Sequence, residues 1–204
     1  MQKNNKKIVY ILSTETGCEI ALQNGLFDRM VIELRELNKH IDITLLTIDS
    51  KNYSNELNIE HINLINTKYQ KKPYLKYYYN IIKWLLINKK NIKLINFVGI
   101  SLPIIPLVKI LSRKKIILEF KYNWGYGVKK DYGGLKGFLA PIIQFLNIKF
   151  TDRFLVTTNT LKNLLVEKYK VNEKNIFLVP NFIVNNNYIT FEDYYKKENI
   201  IIFA

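Results

Sequence analysis

The feature that most constrains this chain is alternation. Short runs of β-branched and other apolar residues recur along it, and most are separated by a longer stretch with apolar residues at helical spacing. The runs at 7–12, 42–48, 59–65, 93–98, 115–120, 153–157 and 176–179 predict strands, and the stretches at 19–37, 73–88, 102–111, 138–150 and 160–169 predict helices. In the first of these helices Phe27, Met30, Val31, Leu34 and Leu37 fall on one face. Several strands read as continuous apolar runs because a strand inside a parallel sheet is covered on both faces. Repeated βαβ units with right-handed crossovers predict an α/β fold, a doubly wound, mainly parallel sheet with helices on both faces. Residues 122–137, rich in glycine and aromatics, are expected to form a loop.

The 204 residues suffice for one domain with a buried core. Residues 1–184 are read as that domain. Residues 185–198 are polar and charged, as a linker would be, and 199–204, Asn-Ile-Ile-Ile-Phe-Ala, read as the opening strand of a further domain. The apolar run at 8–12 is too short for a secretory leader, and no stretch approaches the length of a membrane span. A cytoplasmic protein, at or near the inner face of the membrane, is therefore expected. The single cysteine, Cys18, excludes an internal disulfide. No Cys/His spacing suggests zinc, His40 and His61 read as surface or strand-edge residues, and neither a metal nor a cofactor is expected.

The formal net charge is +14, and its distribution is uneven: no Asp or Glu occurs between His61 and Leu118. A one-sign field of this kind attracts phosphates, nucleic acid or an acidic membrane surface. Nucleic acid is disfavoured, because no recognition motif accompanies the charge. Lys71, Lys72, Lys76 and Lys83 are interleaved with Tyr74, Tyr77, Tyr78, Tyr79 and Trp84. That pattern is either a solvated helix face or a surface facing anionic lipid headgroups.

Ligands of a doubly wound sheet sit beyond the carboxyl ends of its strands, which selects four loops. The loop after the first strand, Ser13-Thr14-Glu15-Thr16-Gly17-Cys18, leads toward a helix and suits a phosphate through Thr16 and Gly17, although such residues are also ordinary helix caps. Gly99 and Ser101 follow the fourth strand. Glu119, Lys121, Asn123 and Trp124 follow the fifth, bringing a carboxylate, a cation, an amide and an aromatic ring to one strand end. Gly99, Ser101, Glu119, Lys121, Asn123 and Trp124 are therefore the candidate site residues of these strand ends, against the reading of ordinary turns. In the last loop, Thr158 is expected to cap a helix.

Residues 151–165 (TDRFLVTTNTLKNLL), 167–171 (EKYKV) and 174–181 (KNIFLVPN) resemble the end of the amino-terminal domain in glycosyltransferase family 4, and 200–204 resemble the first strand of its second domain. The resemblance implies a GT-B architecture of two Rossmann-like domains facing each other across a cleft. It implies a nucleotide-sugar donor, held mainly by the second domain, with Thr16 and Gly17 approaching its phosphates. It implies a glycan or lipid-linked acceptor on the side of the present domain, with Glu119 and Lys121 as the catalytic candidates and Gly99, Ser101, Asn123 and Trp124 as the acceptor-side candidates, and retaining, metal-independent transfer in cell-surface polysaccharide synthesis. Where many members of that family carry a histidine, after the fifth strand, this chain has Lys121 or a neighbour. A non-catalytic Rossmann-like module that docks on an anionic membrane or a protein partner is the alternative.

Overall fold

The computed structural model describes residues 7–12, 18, 22, 27–49, 51–66, 74–99 and 103–180. Seven strands form one sheet: β1 (Lys7–Leu12), β2 (Ile43–Asp49), β3 (Glu60–Asn66), β4 (Ile92–Val98), β5 (Lys115–Phe120), β6 (Arg153–Val156) and β7 (Ile176–Leu178). Their order is β3-β2-β1-β4-β5-β6-β7 and every pairing is parallel. The direction of winding reverses between β1 and β4, so these two neighbours flank the topological switch point.

Besides two short 3-10 helices (Lys89–Asn91 and Glu173–Asn175), the α-helices α1 (Phe27–Asn38), α2 (Ser54–Leu57), α3 (Tyr74–Asn88), α4 (Ile105–Ser112), α5 (Trp124–Tyr132), α6 (Gly134–Lys149) and α7 (Asn159–Glu167) are described. The two-residue alternation of the strands feeds two separate cores. Val9 and Ile11 of β1 join Tyr77, Ile81 and Leu85 of α3, Val108 of α4, Ile148 of α6 and Leu165 of α7. Leu12, with Tyr10 packed alongside, joins Phe27 and Leu34 of α1 and Leu57 of α2 on the other face. The doubly wound reading therefore holds. β2 is buried along its whole length, as a strand covered on both faces must be.

Local chemistry sets several boundaries. Pro106 lies in the first turn of α4, where its missing N–H costs nothing. Thr158 caps α7 as expected, its side chain accepting from the Leu161 N–H at 3.3 Å.

Two expectations are corrected. Residues 122–137 are not a loop: Trp124–Tyr132 is helical, and a second helix starts at Gly134. The two helices fold back on each other at Gly133 and Gly134, both in the left-handed region (φ 54° and 51°). The N-cap of α5, Asn123, makes no side-chain cap. Instead Gln144 of α6, fully buried, accepts the Gly125 N–H at 2.5 Å and donates to Asn123 Oδ1 at 2.8 Å and Tyr169 Oη at 2.5 Å. An amide from a distant turn thus satisfies an N–H that a helix start leaves without an intrahelical partner. The second correction is His61, which is buried in a polar network rather than lying at a surface or strand edge. The expected linker at 185–198 and opening strand at 199–204 lie outside the described residues.

Candidate active site at the switch point

The carboxyl ends of β1, β4 and β5 stand side by side. The loop that leaves β1 includes Thr16 and Gly17, which lie outside the described residues, but both ends of that loop are visible. At its start the Leu12 carbonyl accepts from the Tyr77 hydroxyl of α3 at 2.7 Å, with the Leu46 carbonyl a further 3.3 Å contact of the same hydroxyl. At its end the Cys18 N–H donates to Asp49 Oδ2 at 3.2 Å. Tyr77, Cys18 and Asp49 are all buried. Desolvation, with the nearby Asp49 charge second, pushes the Tyr77 phenol well above its ordinary range, so it remains a donor. Two groups inside the fold therefore hold Leu12 and Cys18, the described residues on either side of segment 13–17.

Next to it, Gly99 ends β4 at φ 89°, a conformation that side chains rarely adopt, and its N–H donates to the Glu119 carbonyl at 3.4 Å. Ser101 lies outside the described residues. Glu119 is held from two directions: Asn96 Nδ2 of β4 donates to its Oε1 at 2.8 Å, and Lys121 Nζ lies 3.3 Å from its Oε2. The Glu119 side chain is mostly covered while that of Lys121 is about half open, so the carboxylate anchors the cation at the strand end. Tyr10, opposite Asn96 in the β1–β4 register, adds a phenol. Its pKa is raised by burial and then by the negative charges of Glu119 and Glu33, so it too keeps its proton.

The structure brings Gly99, Glu119 and Lys121 together. It places Asn123 and Trp124 differently: the Asn123 side chain is engaged by Gln144, and Trp124 opens α5 and packs on the larger core. Lys76 and Lys83 are exposed on α3, one stripe with Tyr79 and Leu86, while Lys71 and Lys72 lie outside the described residues. Sequence reasoning missed Tyr10, Asn96 and Tyr77, which read as ordinary strand or helix residues. It also missed Asp49, which could have been found as the carboxylate closing the second strand.

Among the described residues one cluster has metal-ligand chemistry: Cys18, Asp49 and His61, with their donor atoms within 4.8 Å of one another. Its hydrogen bonds argue otherwise. The Tyr53 N–H donates to His61 Nδ1 at 2.8 Å, which uses that lone pair and leaves the proton on Nε2. Nε2 lies 2.6 Å from Thr47 Oγ1 and 3.6 Å from Asp49 Oδ2. A metal at Nε2 would require the proton to move to the nitrogen that already faces an N–H. The cluster serves as buried polar packing that fixes Asp49, and through it Cys18. A broad hollow lined by Lys7, Asn38, Asp42, Glu60 and Asn91 lies at the opposite, amino edge of the sheet, bridged by the Lys7–Glu60 ion pair at 2.7 Å. It holds none of the strand-end groups described above.

No family model matches the chain, and no curated protein matches it in sequence. Solved structures do share its fold. A glycosyltransferase from Rickettsia africae is 18% identical with a TM-score of 0.54, over 94% of this chain and 48% of that one. The lipopolysaccharide outer core galactosyltransferase WaaB, in its apo form, is 13% identical with a TM-score of 0.51, over 87% of this chain and 46% of that one. The UDP-GlcNAc 2-epimerase from Neisseria meningitidis, bound to UDP-GlcNAc, is 11% identical with a TM-score of 0.56, over 85% of this chain and 45% of that one. At these identities the likeness establishes a common fold, and the chain spans about half the length of the proteins it matches.

Proposed function

We propose that this chain is the amino-terminal, acceptor-side half of a GT-B glycosyltransferase, which moves a sugar from a nucleotide-sugar donor to a glycan or lipid-linked acceptor at the inner face of the membrane. The observation that carries the reading is the convergence of Gly99, Glu119 and Lys121 at the strand ends next to the carboxyl end of β1, at the β1–β4 switch point. In that reading a second Rossmann-like domain supplies most of the donor site and closes the crevice.

The chemistry asked of this half is positioning and charge stabilisation. Thr16 and Gly17 approach the donor diphosphate, where backbone N–H groups favour negative charge. Lys121, held by Glu119, faces the charge that develops as the diphosphate departs. Glu119 keeps Oε1 on Asn96 and Oε2 near Lys121, so its role is to orient the cation and an acceptor hydroxyl. Transfer is retaining and independent of a metal, and the place of the reaction is cell-surface polysaccharide synthesis. The shared fold with both glycosyltransferases and UDP-GlcNAc 2-epimerases supports a nucleotide-sugar ligand in either case.

The test is a donor panel. The two-domain protein, given UDP-, GDP- and ADP-sugars with lipid-linked and soluble glycan acceptors, should release nucleoside diphosphate only when both substrates are present. Formation of the C2 epimer from UDP-GlcNAc without an acceptor, with or without release of UDP, would make it an epimerase. Consumption of no donor at all would leave the non-catalytic module.

A further inference from the structure

Helix α6 is built inside out. Its residues Gly137, Ala140, Gln144, Asn147 and Ile148 are buried, so the inward face is mostly small or polar. Its outward face carries Leu135, Phe138, Leu139, Ile142, Phe145 and Leu146, from 73% exposed at Leu135 and 67% at Phe138 to 41% at Leu139 and Leu146. These positions recur at three- and four-residue spacing, which makes one continuous stripe. An amphipathic helix of a protein surrounded only by water turns the other way. Six large side chains in one stripe exceed the scattered apolar exposure that folded surfaces tolerate.

The surroundings identify what covers the stripe. α6 lies beside α4, and α4 beside α3, in one helical layer. Across that layer Leu107 and Ile110 of α4, and Leu75, Tyr79 and Leu86 of α3, are also exposed. The exposed charges on the two flanking helices of that layer include Lys136 and Lys149 on α6 and Lys76 and Lys83 on α3, and neither helix carries an acid. Between Tyr74 and Lys149 the sequence has only two acids, Glu119 and Asp131. Glu119 is engaged by Asn96 and Lys121 at the carboxyl end of β5, and Asp131 lies on α5. Lys149 Nζ lies 5.5 Å from the Phe145 ring centroid, so cation and aromatic occupy one spot. A second copy of the chain, itself carrying a net charge of +14, would bring like charges together at such a face. An anionic lipid surface accepts both components: acyl chains take the apolar stripe, and headgroups take the lysines.

We infer that α6, flanked by α3 and α4, is a membrane-docking face for anionic lipid, with Phe138 and Phe145 inserted and Lys136 and Lys149 at headgroup level. This makes the membrane part of the preceding proposal specific. Vesicle binding is read without any transfer reaction, so either proposal can fail alone.

The test is sedimentation of the 204-residue chain with phosphatidylcholine vesicles, with and without about 30% phosphatidylglycerol. Strong binding to the anionic vesicles and weak binding to the neutral ones are expected. Phe138→Glu combined with Phe145→Glu should weaken binding by roughly tenfold or more. Lys136→Gln with Lys149→Gln should weaken it roughly tenfold and flatten its salt dependence. Because all four positions are exposed, unchanged thermal melting shows that each variant is folded. As a measurement independent of these variants, Phe138→Trp should add tryptophan emission that shifts to the blue on anionic vesicles. Three results would overturn the inference. One is wild-type protein that stays in the supernatant. Another is an emission from the Phe138→Trp variant that does not shift. The third is a wild-type dimer that the double glutamate variant splits to monomer, which would make the face a contact between copies.

Discussion

Gln144→Met is the most informative single perturbation of this fold. Methionine keeps nearly the volume of glutamine and its helix propensity, so packing and backbone change little. All three hydrogen bonds of the amide disappear: Gly125 N–H at 2.5 Å, Asn123 Oδ1 at 2.8 Å and Tyr169 Oη at 2.5 Å. The three partners are not equal. Asn123 is half-open to water and finds a new partner there. The Gly125 N–H is at a helix start where no carbonyl is available, and leaving such a group buried costs about 1–3 kcal/mol. Tyr169 is largely covered, and losing its bond adds roughly 1 kcal/mol. The expected loss is about 2–4 kcal/mol. For a chain of this size it corresponds to a fall in Tm of roughly 4–16 °C. Urea unfolding followed by far-UV circular dichroism reads it as a lower midpoint with an unchanged m-value. A change below about 0.5 kcal/mol would refute the claim that an amide from α6 caps α5.

Three further outcomes are expected. Gly125→Ala places a Cβ 2.9 Å from the Pro141 Cα, a backbone atom that cannot yield, so stability should fall by about 1–3 kcal/mol; Gly127→Ala, with nothing within 4 Å, should raise it by up to about 1 kcal/mol, and equal thermal shifts for the two would contradict the packing. Tyr77 is buried with its pKa raised, so the native state holds its proton longer than the unfolded chain; its contribution is complete below the ordinary tyrosine pKa and is lost as pH rises above it. Tyr77→Phe should therefore lower stability at neutral pH by about 1 kcal/mol and make the alkaline loss shallower, which denaturation between about pH 7 and 11 checks. Under the proposed transfer reaction, Lys121→Ala in the proposed two-domain protein should cut kcat about 10²-fold or more, with a smaller change in KM for the donor, if the ammonium stabilises the departing diphosphate; an unchanged kcat would remove it from the reaction.

The sequence by itself determined the seven strands and the way they wind. Period-two and period-3.6 apolar patterns are local, and parallel strands joined by crossover helices have few solutions. The strand ends at Leu12, Val98 and Phe120 were legible for the same reason, and they led to Gly99, Glu119 and Lys121. Tertiary structure decided the remainder. α5 has two glycines in its first turn and no side-chain cap of its own, so its helicity depends on Gln144, nineteen residues beyond Gly125, and on packing against α6. Asp49 and His61 stand on different strands, with nothing in the intervening sequence to link them, and meet only because β2 and β3 pair. The apolar residues of α6 were legible as a helix pattern, but helical spacing is the same whether a stripe faces a core or faces outward. Only the packed fold, which turned Gly137, Ala140, Gln144 and Asn147 inward, settled which side the leucines and phenylalanines would take.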